Sequence, residues 1–190
     1  MKLHLLFAVV IAFLLVTCKG QDYSRELSEI DSLKSVLNST DSMLMALNPE
    51  EINRRAQDIA DNSKFIQYNV TKLGDTLDYS TALLLSAYGQ TGDNYRRVNA
   101  EIERLDNAID SMNLALDNLK HDMENHSMAE GLDGKASVIH EKVQVNAISA
   151  YTGVLKSSLN NTRRSYDSLL PGVNAFVQQM SARVSMVQVP

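Results

Sequence analysis

The sequence predicts an all-α protein, an elongated antiparallel bundle or coiled coil of about four long helices. Two observations support this fold class. After residue 22, aliphatic side chains recur at alternating steps of three and four, and helix breakers are scarce, with 8 Gly and 3 Pro in 190 residues. A repeat that averages 3.5 residues keeps one apolar seam against a neighbouring helix. A β-rich domain would carry more aromatic and turn residues.

The first predicted helix covers residues 23–47. Its seam contains five aliphatic residues and one threonine: Ile30, Leu33, Leu37, Thr40, Leu44 and Leu47. Pro49 ends it, because proline disfavours a helical residue before it but fits the first turn of a new helix. The short loops expected throughout would make neighbouring helices antiparallel.

The second predicted helix covers residues 50–88. Its seam runs from Ile52 to Ala87 and includes Ser63 and Ser80. The segment Gly89-Gln90-Thr91-Gly92-Asp93 is predicted to be a turn, with Asp93 capping the third helix. Tyr88 and Tyr95 would then flank this turn and plug that end of the bundle.

The third and fourth predicted helices cover residues 94–126 and 136–186, separated by Gly131-Leu132-Asp133-Gly134. The third seam runs from Val98 to Met123 without a polar position. The fourth runs from Val138 to Met180, with Thr152 and Thr162 among its members. Hydroxyls at seam positions are expected to bond to carbonyls of their own helix. Pro171 predicts a kink or a short break, because an interior proline removes a hydrogen bond.

The start of the chain is expected to direct export. Leu5 to Val16 is an unbroken apolar run, suited to a signal peptide and too short to span a bilayer. Cys18, the only cysteine, follows it. The segment Leu15-Val16-Thr17-Cys18 resembles the lipobox of bacterial lipoproteins. Leu15 fits that pattern, whereas Thr17 stands where Gly, Ala or Ser is usual.

The lipobox resemblance implies a division of the chain. Residues 1–17 would be a cleaved signal peptide, and Cys18 would become the lipid attachment site at the start of a short tether, residues 18–22. Residues 23–186 would form the helical bundle domain and residues 187–190 a frayed tail. The alternative is ordinary secretory cleavage after Gly20, which would discard Cys18.

No catalytic, metal-binding or cofactor-binding constellation is predicted. His121 and His126 are five residues apart, which places them on different sides of a helix. Metal sites in helical bundles instead use Glu and His three or four residues apart. His140 is expected to be exposed. The chain also lacks a glycine-rich phosphate loop and a G-x-S-x-G nucleophile motif.

The predicted function is that of a non-enzymatic lipoprotein of the bacterial cell envelope. Cys18 would anchor it to the membrane, and the bundle would serve as an interaction or structural domain for a protein partner or for self-association. The net charge of −5 without a basic stripe argues against a nucleic-acid partner.

Two alternatives remain open at this stage. One is a secreted helical carrier or sensor that binds a small ligand between helices, in a cavity lined by the Ser and Thr seam residues. The other is an enzyme or metal protein that uses His121, Glu124 and His126.

Overall fold

A computed structural model describes residues 22–129, 131 and 133–187, and four helices contain most of them. The helices are α1 (Ser24–Met45), α2 (Pro49–Leu73), α3 (Tyr79–Glu124) and α4 (Gly134–Val187). With 46 and 54 residues, α3 and α4 are about 70 and 80 Å long at 1.5 Å per residue. No strand occurs among the described residues, and the predicted all-α elongated bundle is confirmed.

The four helices form three rods, because α1 and α2 follow one another along the antiparallel pair α3–α4. Four contacts show the direction: Asp31 with Lys120, Lys34 with Asp117, Ile59 with Gly92, and Asn62 with Tyr88. In these four pairs, the number of the α3 residue falls as the number of its partner in α1 or α2 rises. Both helices therefore run antiparallel to α3 and parallel to each other, and the expectation that all neighbours are antiparallel is wrong for this pair.

The link between α1 and α2 is a three-residue turn that keeps the direction of the chain. Asn48 adopts a left-handed conformation with φ 60°, and its side chain accepts a hydrogen bond from the Glu51 amide at 3.2 Å. Pro49 opens α2 at the position where the sequence predicted a new helix. Asn48 thus caps α2 while turning the chain only locally.

The predicted seams of all four helices contribute to the core, and α2 adds Ile52, Ala56, Ile59 and Ile66 to it. All six seam positions predicted for α1 are buried, and so are most of those predicted for α3 and α4. Each buried Leu or Ile contributes on the order of 1.5–3 kcal/mol. The hydroxyls of Thr40, Thr152 and Thr162 donate to carbonyls four residues back at 2.9–3.0 Å, as predicted.

The predicted turn at Gly89–Asp93 is wrong, because these residues lie inside α3. The connection between α2 and α3 comes earlier: Gly74 ends α2 with φ 62°, and the Asp78 carboxylate caps α3 by accepting from the Thr81 amide at 2.9 Å. Asp93, the expected cap, instead pairs with Arg96 in the same helix. Ser80, placed in the seam by the sequence, is exposed beside the true cap.

Gly92 allows α3 to pack closely against α2 and does not lie in a turn. A Cβ atom at this position would lie 2.7 Å from Ile59 Cγ2 on α2. Real Cβ atoms do not approach that closely, so only glycine lets the two helices meet here. The neighbouring Thr91 is buried and donates to the Ala87 carbonyl at 2.9 Å, as a helical threonine does.

α4 continues through Pro171 to Val187, so the short break that the proline allowed is absent. One of the long helices of the bundle is bent. Within α4, Pro171 lacks the N–H that would bond to the Asp167 carbonyl and its ring crowds that oxygen, which is the ordinary physical cause of a bend in a helix. Of the predicted frayed tail, residues 187–190, Val187 lies at the end of α4, and residues 188–190 lie outside the described residues.

Substituting the two glycines of α3 by alanine should have opposite effects on stability. Gly92→Ala should lower the free energy of unfolding, because overpacking against Ile59 costs about 1–3 kcal/mol. Gly89→Ala meets nothing within 4 Å and should gain up to about 1 kcal/mol from helix propensity. Urea unfolding of both variants measures the difference. Equal effects would contradict the continuous helix and its contact with α2.

Candidate functional site

Three tyrosines form a cluster inside the bundle. Tyr88 and Tyr95 are fully buried. The ring of Tyr166 stacks on Tyr88 with centroids 6.2 Å apart and meets Tyr95 edge-on at 6.0 Å. The expectation that Tyr88 and Tyr95 plug an end of the bundle beside a turn is wrong, because they lie within α3 and face α4. We call these three residues the tyrosine cluster.

Arg55 of α2 covers this cluster. Its guanidinium lies 4.9 Å from the centre of the Tyr166 ring, within the range of a cation–π interaction. Its Nη1 donates to the Tyr95 hydroxyl and to Asp167, each at 3.3 Å. Its Nη2 pairs with Glu51 at 2.9 Å. One arginine therefore joins α2, α3 and α4 at a single level of the bundle.

Arg163 of α4 holds the junction between α1 and α2. It donates to the Leu47 carbonyl at 3.1 Å and to the Glu51 carboxylate at 2.8 Å. Glu51 is thereby shared by Arg55 and Arg163. Leu47 lies in the turn between α1 and α2, so its carbonyl is outside the hydrogen-bond pattern of either helix, and Arg163 supplies a donor to it. We call Arg55, Arg163, Glu51 and the tyrosine cluster the arginine–tyrosine network. Its contacts indicate that it stabilises the junction between α1 and α2.

A groove between α3 and α4 is one candidate site for a ligand. It has a volume of about 310 Å³ and is bordered by Arg97, Glu101, Tyr151 and Thr162 among others. The Tyr151 hydroxyl donates to Glu101 at 3.2 Å. Small-molecule sites span about 300–1,000 Å³, so the groove lies at the lower limit. Thr162 is one of the seam hydroxyls that the sequence placed near a cavity.

A second groove lies near the far end of α2. It has a volume of about 360 Å³ and is bordered by Ser63, Ile66 and Leu77 among others. Ser63 is the second seam hydroxyl beside a cavity. Thr40 and Thr152 border neither groove, and like Thr162 they are buried and bonded to their own helices.

The histidines do not come together. The His121 ring lies 3.1 Å from the Asn125 amide nitrogen, while His126 is exposed beyond the end of α3 with φ 51°. His140 is exposed, as predicted. Within residues 22–129, 131 and 133–187, no group of three or more His, Cys, Asp or Glu side chains is placed to hold a metal ion. The metal hypothesis built on His121, Glu124 and His126 gains no support.

Cys18, the predicted lipid attachment site, lies outside the described residues, as do the signal peptide and most of the tether. Among the helices that the structure describes, none has an apolar stretch long enough to cross a membrane. Comparison with protein-family models, curated proteins and solved structures found no match for this chain.

Sequence reasoning missed the arginine–tyrosine network. The periodicity placed Tyr166 in the seam but gave no partner for it. Arg55 and Arg163 lie 112 residues or more from some of their partners along the chain. The sequence did contain one signal of the network. Glu51 and Arg55 are four residues apart, a spacing that favours an ion pair on one face of a helix.

Arg163 and its neighbour Arg164 provide a matched test of the junction. Arg163→Ala should lower the free energy of unfolding by about 1–3 kcal/mol, because the Leu47 carbonyl loses this donor and Glu51 keeps only Arg55. Arg164 is exposed, and Arg164→Ala should stay within about 0.5 kcal/mol. Chemical denaturation compares the two. Equal losses would contradict the role of Arg163.

The tyrosine cluster should make the fold sensitive to alkaline pH. Burial raises the pKa of Tyr88, Tyr95 and Tyr166 above the ordinary value of 10.0. A tyrosine whose pKa is higher in the folded protein than in the unfolded chain contributes its full stabilisation below the pKa of the unfolded chain. This contribution is lost as the pH rises through the pKa of the folded protein. The urea midpoint should therefore fall above about pH 10. Replacing all three tyrosines by phenylalanine should flatten this fall, and an unchanged slope would contradict the assignment.

Proposed function

We propose that this protein is a non-enzymatic lipoprotein of the bacterial cell envelope, anchored through Cys18, whose rod presents a surface for protein interaction or structural support. The observation that carries the proposal is the position of the only cysteine. It stands two positions after the end of an apolar run of signal-peptide length, Leu5 to Val16, and completes the lipobox-like segment Leu15-Val16-Thr17-Cys18. That placement is what acylation and cleavage before the cysteine require.

The geometry of the bundle supports an anchored rod. Asp22 lies at the start of α1, where its carboxylate accepts from the Ser24 amide at 3.0 Å. Four residues reach at most about 14 Å, so an anchor at Cys18 would keep this end of the bundle near the membrane. The turn between α2 and α3 would lie about 70 Å away, at the other end of α3.

The far end carries exposed apolar side chains. Tyr68, Tyr79 and Leu83 are 65%, 80% and 52% exposed around the turn between α2 and α3. Met186 near the end of α4 is 73% exposed, and Arg183 ties that end of α4 to Asp75 in the same turn. Exposed aromatic and aliphatic groups together favour contact with a protein partner.

The anchor is tested by membrane partitioning. The native chain should carry acyl mass on Cys18 and enter the detergent phase. Cys18→Ala should remove the acylation site while leaving secretory cleavage after Gly20 available, and should release the protein to the soluble fraction. Thr17→Ala is the matched control, since it brings the segment closer to the usual lipobox and should keep the protein in the detergent phase. Native protein without acyl mass, or unchanged partitioning of Cys18→Ala, would contradict the proposal.

The groove between α3 and α4 favours a second candidate, a secreted carrier or sensor for a small ligand. Its volume of about 310 Å³ and its polar side chains, Arg97 and Glu101, suit a small polar molecule. This alternative predicts a mature chain that begins at Gln21 without acyl mass. It also predicts a melting temperature that rises with ligand concentration.

A further inference from the structure

The groove between α3 and α4 has an apolar floor and polar sides. Its floor consists of three buried residues, Val98, Leu155 and Thr162. The Thr162 hydroxyl donates to the Ser158 carbonyl of its own helix at 3.0 Å, so this threonine adds no free donor to the floor. The sides carry amides and hydroxyls from both helices: Asn94, Ser158, Asn161 and Ser165.

Three polar side chains along the α4 side of the groove are free to bind a ligand. Ser158, Asn161 and Ser165 are exposed, and within the described part of the chain their side chains make no hydrogen bond. Other hydroxyls of α4 differ in this respect, since Thr152 and Ser157 donate to carbonyls four residues back. The groove therefore combines an apolar surface with unused hydrogen-bonding groups, which suits a ligand that has both.

The two helix segments that border the groove, residues 94–101 and 151–165, are basic. They contain one acidic residue, Glu101, and five basic residues, whereas the whole chain has a net charge of −5. The five basic residues are Arg96, Arg97, Lys156, Arg163 and Arg164. A local excess of positive charge attracts anions.

The charge of the one acid is balanced by a cation of the protein. Arg104, one turn beyond the groove residues of α3, donates to Glu101 Oε1 at 2.6 Å. The Tyr151 hydroxyl donates to Glu101 Oε2 at 3.2 Å. Both carboxylate oxygens are thus occupied by donors of the protein, and Glu101 is not left to neutralise another cation.

Arg97 is the unmatched cation of the groove. Arg96 pairs with Asp93, and Arg163 pairs with Glu51 at 2.8 Å. Three cations of the two segments have no ion pair or hydrogen bond within the described residues: Arg97, Lys156 and Arg164. Of these three, only Arg97 borders the groove. One guanidinium matches one carboxylate, which it can bind through two parallel hydrogen bonds.

We infer that this groove binds a sugar acid, a hydroxylated ring that carries one carboxylate. Arg97 binds the carboxylate, the free amide and hydroxyls of α4 bond to the ring hydroxyls, and the apolar floor packs against the ring. A phosphate monoester fits the single free cation less well, because it carries about two negative charges at neutral pH. The volume of about 310 Å³ suits a ligand at the small end of the usual range.

This inference rests on the ligand site of the second candidate function, and it holds whether the chain is anchored or secreted. The mass of the native chain decides between anchoring and secretion, whereas a titration decides the ligand. The titration uses the exported Cys18→Ala chain, in which lipid plays no part, so each claim can fail without the other.

Nuclear magnetic resonance titration with D-glucuronate should give saturable amide shifts at residues 94–101 and 151–165. D-glucose, which lacks the carboxylate, should bind at least about 10-fold more weakly. Acetate, which lacks the hydroxylated ring, should also bind at least about 10-fold more weakly. Equal binding of glucose or acetate would overturn the sugar-acid assignment. Absence of shifts with all three would also overturn the groove as a ligand site.

Two variants that remove the same charge test the role of Arg97. Arg97→Gln should raise the dissociation constant for glucuronate at least about 10-fold, because the charge-assisted hydrogen bonds are lost. Lys156 is exposed and does not border the groove, so Lys156→Gln should change this constant by less than about twofold. The circular dichroism of both variants should match that of the parent, because both positions are exposed. Equal responses of the two variants would overturn the inference.

Discussion

Burial of one aliphatic seam along α3 and α4 is the constraint on which the rest of the structure depends. The two helices are about 70 and 80 Å long and pack as an antiparallel pair over most of that length. Every other element lies against this pair. The seam is fixed by fully buried residues such as Leu116, Val145 and Leu159. Its threonine hydroxyls donate to carbonyls of their own helices.

The third rod is assembled from two helices, and polar contacts make this arrangement stable. An interruption between two helices in the middle of a bundle leaves backbone carbonyls without partners inside a helix. Arg163 reaches from α4 to the Leu47 carbonyl and to Glu51 on either side of the break. Arg55 then joins Glu51 to the tyrosine cluster. The apolar seam sets the register of the rods, and the arginines hold the two pieces of the third rod in line.

Periodicity predicted which residues are buried better than it predicted where the helices end. Leu73 and Leu77 keep the spacing of three and four residues across the turn between α2 and α3. The spacing of apolar residues alone therefore did not reveal this turn. Gly74 and Asp78 carried the local signals for a helix end and a new cap. The sequence predicts a turn at Gly92 because a single sequence does not distinguish a glycine needed for a close helix contact from a glycine in a turn. The arginine–tyrosine network was missed because its partners are distant in the chain.

Residue-resolved amide hydrogen exchange tests the central claim most directly, because it reports which backbone hydrogen bonds open only when the whole core unfolds. The continuous seam predicts slow exchange throughout the interior of α3, including residues 89–93, and in α4 from Val138 to Val173. Residues 74–78 should exchange quickly. Fast exchange at residues 89–93 with protection at 74–78, or fast exchange throughout α3, would contradict the account.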